Sequence, residues 1–76
     1  MKVVIYTSPE CEHCKAAKEF LKENDIAFEE KDVLRNRDNA NEMIAKSGKK
    51  IIPVIDVDGS IVAGFDQERL EELLGL

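Results

Sequence analysis

No run of apolar residues in this chain approaches the roughly 20 needed to cross a bilayer as a helix, so no membrane span is expected. A secretory signal is not expected either. After Lys2 only Val3 to Tyr6 are apolar, too few for its hydrophobic core. The expected compartment is therefore the cytoplasm. Positive charge is scarce: 11 Lys and Arg stand against 16 Asp and Glu, for a net charge of −5. A phosphate backbone is held by clustered cations, so nucleic acid is not expected as a partner. Only two cysteines are present. In a reducing compartment such a pair is catalytic or metal-binding far more often than structural. Repeats, linkers and low-complexity stretches are absent too. What remains is 76 residues, 43% hydrophobic and 36% charged, which predicts a single domain over residues 1–76. A domain of this size buries about 60% of the surface its unfolded chain exposes, enough for one modest core.

Both cysteines lie in one stretch, Tyr6-Thr7-Ser8-Pro9-Glu10-Cys11-Glu12-His13-Cys14-Lys15. An apolar run precedes it and a helical pattern follows. Two thiols separated by two residues where a strand meets a helix form the arrangement of thiol–disulfide exchange. The thiolate is the attacking species. Unsatisfied backbone N–H groups and the positive end of the helix dipole favour a thiolate at a helix start. The second sulfur, one turn further in, can then attack the mixed disulfide and release the partner. A structural bridge is the weaker reading, because a loop this short is a poor staple.

Taken in order, Lys2 to Tyr6 is β-branched and aromatic with little alternation, the pattern of a strand buried on both faces. Thr7 to Glu10 is a loop. A helix is expected from Cys11 to about Asn24, with Cys14, Ala17, Phe20 and Leu21 on one face. Ile26 to Val33 reads as a second strand, more exposed than the first. Leu34 to Asp38 is a polar connection. Asn39, with Glu42 three residues on, resembles a capping box opening a second helix that Gly48 stops. Ile51 to Val57 is the third strand, with Pro53 near its start. Asp58-Gly59 is a two-residue hairpin turn, and Ser60 to Ala63 returns as the fourth strand. Asp66 can cap a last helix, Gln67 to Leu74, whose inner face is Leu70, Leu73 and Leu74. The order β-α-β-α-β-β-α predicts an α/β fold. It is a mixed four-stranded sheet flanked by three helices, its first two strands parallel and its last two antiparallel.

Four features in this order make the chain resemble the glutaredoxins of the thioredoxin-like group. They are the Cys11-Glu12-His13-Cys14 stretch after the first strand, Ile52-Pro53-Val54, Asp58-Gly59, and Gly64-Phe65-Asp66 before the last helix. The small glutaredoxin-like redoxins of bacteria and archaea are especially similar. The resemblance implies a thioredoxin-like fold and a dithiol–disulfide oxidoreductase, with Cys11 as nucleophile and Cys14 as resolving thiol. It implies a cis Pro53 facing the cysteines and an Ile52 backbone that pairs with a bound peptide or glutathione. Gly64 would let a ligand approach closely, and Asp66 would face the amino end of glutathione. Phe65 lies between them, and Tyr6 could pack near the thiols. Glutaredoxins usually carry Pro and Tyr between the cysteines; here Glu12 and His13 stand there as thiol-tuning residues. Glu12 opposes a thiolate, whereas His13 favours it only when protonated. No organic cofactor is implied, and glutathione would enter as a substrate. The implied partners are disulfide-containing proteins or small thiols, with glutathione or thioredoxin reductase supplying electrons to a monomer. No metal ligand is assigned in that reading. An alternative keeps the same cysteines as ligands to zinc, or to an iron–sulfur cluster shared across a dimer.

Overall fold

The computed structural model describes all 76 residues. Val3-Val4-Ile5-Tyr6-Thr7 forms β1, and all five residues are buried. Such a strand belongs inside a sheet, and β1 is indeed central in the order β2-β1-β3-β4. It runs parallel to β2 (Glu29–Asp32), with Val4 opposite Glu29 and Thr7 opposite Asp32. On its other side it runs antiparallel to β3 (Val54–Val57), with Tyr6 opposite Val54. The hairpin from β3 to β4 (Ser60–Ala63) turns through Asp58 at φ 50° and Gly59 at φ 93°. Positive φ at both turn residues suits the twist of the flanking strands, which explains Asp-Gly there.

Strand alternation divides the side chains between two layers. Val3, Ile5, Ile55, Val57 and Val62 meet Ala17 and Leu21 of α1 (Glu12–Glu23) and Leu70 and Leu74 of α3 (Gln67–Leu74). The opposite face sends Val4, Tyr6 and Val54 against Met43 of α2 (Arg37–Ser47). The expected fold is therefore present: three helices on a mixed four-stranded sheet. Asp66 caps α3 as read, its Oδ1 accepting from the Arg69 N–H at 3.1 Å.

Several boundaries differ from expectation: β1 runs one residue later than read, taking in Thr7 and leaving out Lys2, and α1 begins at Glu12, one residue after Cys11. β2 holds only four residues, because Ile26 and Phe28 turn inward against the α1–α3 layer and do not join a ladder. The Ile26 N–H is already committed to the Leu21 carbonyl at 2.9 Å. α2 is capped by Asn36 and not by Asn39. The Asn36 side chain accepts from the N–H groups of Asp38 (2.9 Å) and Asn39 (3.3 Å). Asn39 instead donates its side-chain amide to the Asp32 carbonyl at 3.0 Å, tying α2 to the end of β2. Finally, β3 starts at Val54, so Ile51 to Pro53 stand outside the ladder.

Candidate functional site

β1 delivers the chain to the site. Thr7 ends the strand, Ser8 is still buried, and Pro9 and Glu10 form an exposed turn. The Cys11 N–H closes that turn onto the Ser8 carbonyl at 3.3 Å. Cys11 is the N-cap of α1 and not a first-turn residue: its backbone is extended, and its Sγ accepts from the Cys14 N–H at 3.2 Å. A sulfur thus occupies the capping place usually taken by a Ser or Asp oxygen. A sulfur there faces the helix N–H groups and the positive end of the dipole.

The two thiols are free and unequal. Cys11 is partly exposed, whereas Cys14 has no exposed surface. Burial pushes the Cys14 thiol up, and the neighbouring Cys11 adds to the rise. The Thr7 hydroxyl and the Ser8 backbone act against it. Sequence reasoning missed Thr7. Its signal was the strand period, which puts Thr7 with Val3 and Ile5 on the α1 face.

The Ile52–Pro53 peptide is cis. Pro53 is buried and Ile52 half-buried. Since Tyr6 pairs with Val54, Pro53 lies beside Thr7 at the sheet end from which the cysteine loop departs. The Pro53 carbonyl accepts from the Gly64 N–H at 2.7 Å, joining the two loops. Gly64 has φ 88°, and a Cβ built there would meet no heavy atom within 4 Å. Its conformation favours glycine, and the space over it is open. Phe65 turns inward: its ring lies 5.8 Å from that of Phe20, tilted by 57°, which anchors the Gly64–Asp66 segment to α1. Asp66 is exposed beside that segment, as are Glu12 and His13 on the first turn of α1.

Tyr6 is not brought to the thiols. It is fully buried, and the strand period carries it to the α2 face, where its hydroxyl donates to the Glu42 carboxylate. Burial pushes the Tyr6 hydroxyl up, and the hydrogen bond to Glu42 adds to this. Glu42 also receives Lys31 at 2.7 Å. The Lys31 ammonium, and then the Tyr6 hydroxyl, hold its carboxyl below the usual range. Lys46 reaches Asp56 at 2.8 Å and lies 5.4 Å from the Tyr6 ring centre. Burial disfavours the Asp56 carboxylate, but Lys46 and the Gly59 N–H outweigh it and leave the group lowered.

A family model described as glutaredoxin matches residues 3–62, most of the chain. The chain belongs to the glutaredoxin family. A glutaredoxin-like 8.6 kDa protein in the rubredoxin operon of Clostridium pasteurianum is 35% identical over 72 residues, covering 95% of this chain and 96% of the relative. Among solved structures, the thioredoxin-like protein BC3987 superposes with a TM-score of 0.89 at 39% identity, covering 95% of this chain and 99% of that one. The glutaredoxin-like NrdH-redoxin of Escherichia coli superposes with a TM-score of 0.87 at 27% identity, covering 96% and 95%. Glutaredoxins are thiol–disulfide oxidoreductases that act on disulfides and thiols and typically need no cofactor. No helix of this glutaredoxin-family chain is long and apolar enough to cross a membrane.

Proposed function

We propose that this protein is a dithiol reductase of disulfides, with Cys11 attacking and Cys14 resolving. The observation that carries the reading is the inequality of the pair: Cys11 partly exposed on the cap of α1, Cys14 buried behind it with its thiol pushed up. The Cys11 thiolate attacks one sulfur of the substrate disulfide, and the other sulfur leaves as a thiolate that takes a proton from water. Cys14 then gives up its proton and attacks Cys11 Sγ. The Cys11–substrate bond breaks, the second substrate thiol departs, and a Cys11–Cys14 disulfide remains. Two electrons from a donor return both thiols.

Ile52 and Pro53, with Gly64 and Asp66, line the approach to this sulfur pair and receive the substrate backbone. Phe65 holds that edge in place through Phe20. Glu12 and His13 set the charge around the attacking sulfur. We assign the electron donor to a protein reductase of the thioredoxin reductase type, in preference to glutathione. One Gly and one Asp stand where glutathione-binding relatives often carry a fuller motif, and the Escherichia coli NrdH-redoxin is described as having a thioredoxin-like activity profile. Metal binding by the same cysteines needs ligands from outside this chain, since no group of three or more potential ligands is gathered within it.

Turnover with NADPH and thioredoxin reductase, compared with glutathione and glutathione reductase, tests the reading on insulin as substrate. Reduction through thioredoxin reductase is expected. Cys11→Ser should abolish it, and Cys14→Ser should trap a mixed disulfide with the substrate. Full activity in Cys11→Ser would overturn the assignment.

A further inference from the structure

Charge is divided unevenly along this chain. Residues 31–50 carry six Lys or Arg and three Asp or Glu, whereas the other 56 residues carry five and thirteen. A segment of net +3 thus lies in a protein whose remainder is −8. Two of the six cations, Lys31 and Lys46, are already paired, with Glu42 and Asp56. The other four are exposed: Arg35 between β2 and α2, Arg37 at the start of α2, and Lys49 and Lys50 between α2 and Pro53. Arg35 reaches only Asp32, at 3.9 Å, while 79% of its side chain stays in water. Arg37, Lys49 and Lys50 join none of the ion pairs of the structure. Helix stability does not explain Arg37, because it is the first residue of α2, where the dipole disfavours a cation.

The same two loops expose apolar side chains. Leu34 is 64% and Ile51 45% exposed, the largest such surfaces away from the chain ends. Leu34 follows β2 by two residues and Ile51 precedes Pro53 by two. Asp32 pairs with Thr7 and Tyr6 with Val54, so both loops leave the sheet at the end that carries the cysteine pair. They flank β1 from opposite sides, about 10 Å apart by strand spacing. On the other layer α1 balances Glu12, Glu19 and Glu23 with Lys15, Lys18 and Lys22, whereas α3 sets Glu68, Glu71 and Glu72 against Arg69 alone.

From this we infer that the α2 side of the site docks an acidic polypeptide segment. The substrate class is a protein disulfide flanked by Asp or Glu and by an apolar residue. The cations at the start of α2 and in the two loops draw the segment in, Leu34 and Ile51 seat its apolar side chains, and the net acid of α3 disfavours the reverse orientation. The inference rests on the dithiol reading proposed above.

The test uses the intact protein and two peptides with the same internal disulfide, one flanked by Glu and Leu, the other by Gln and Ser. A third substrate, 2,2′-dipyridyl disulfide, carries no charge. At low ionic strength kcat/KM for the acidic peptide should exceed that for the neutral one about tenfold. The preference should collapse in 0.5 M NaCl and in a variant with Arg35→Gln, Arg37→Gln, Lys49→Gln and Lys50→Gln. The rate with dipyridyl disulfide should not change in that variant. Equal kcat/KM for the two peptides in the wild-type protein, or a preference that survives neutralisation, would overturn the docking surface. Failure to reduce all three substrates would overturn the dithiol reading together with it.

Discussion

The two faces of the sheet are held by different forces. The α1–α3 face gathers nine buried apolar residues, with Phe20, Ile26, Phe28, Phe65 and Leu73 packed around them. On the α2 face there are four, with Val33, Ile44, Ile52 and Ile61 packed around them, and Met43 is the one buried residue of the helix itself. Polar ties take over there: Tyr6 to Glu42, Glu42 to Lys31, Lys46 to Asp56. Apolar packing does not titrate, whereas these ties do. The helix that carries the thiols therefore sits on the invariant side, and the helix bordering the cationic loops sits on the adjustable one.

The largest test of this contrast is Leu21→Ala, on a fully buried α1 position. It should cost about 2–5 kcal/mol in urea unfolding, since a cavity in a packed apolar layer cannot be refilled by water or charge. A smaller loss is expected from Lys46→Met. Asp56 would be left nearly buried with only the Gly59 N–H on its carboxylate, at about 1–2 kcal/mol once the water reaching Lys46 is allowed for. Tyr6→Phe deletes one buried hydroxyl and should cost about 1 kcal/mol.

Acid should separate the faces without any mutation. Glu42 and Asp56 ionise more readily in the folded chain than their ordinary values of 4.5 and 3.8. The stability they add is complete above about pH 5 and is lost as pH falls through their lowered folded values. Tyr6 is the only tyrosine and there is no tryptophan, so tyrosine near-UV dichroism reads the α2 face alone. That signal should fade at a higher pH than the far-UV helix signal; coincident loss of the two would show that the faces are not separately held. The smallest effect belongs to Lys18→Met. Lys18 pairs with Glu30 at 2.7 Å, but on the apolar face, and should change stability by no more than about 0.5 kcal/mol.

Legibility in the sequence followed the range of each signal. The first strand, the Asp58-Gly59 turn, Ser60 to Ala63 and the Asp66 cap are written in adjacent residues; the last three stand as read, and the first is Val3–Thr7 where Lys2 to Tyr6 was expected. Features decided across the fold were not visible. Whether Asn36 or Asn39 caps α2 depends on the Asp32 carbonyl, which takes the Asn39 amide. Ile26 and Phe28 look like strand residues, yet a core beside them claimed their side chains. The cysteine pair was legible because its spacing is local, whereas the cis Pro53 was implied by the family resemblance alone. The turning of Tyr6 away from them was set by strand parity, and parity could have been counted. It would also have placed Thr7 beneath Cys14.

One edge of the sheet has a further consequence. β2 is outermost on its side, and all four of its residues, Glu29-Glu30-Lys31-Asp32, are charged. A strand from another molecule could extend the sheet there only by stripping water from those groups. Short, charged borders of this kind are how β-proteins avoid zipping together edge to edge. For a chain with a free, partly exposed cysteine, this guards against aggregation when molecules are crowded. Exchanging Glu30 and Asp32 for Val and Thr would remove the guard.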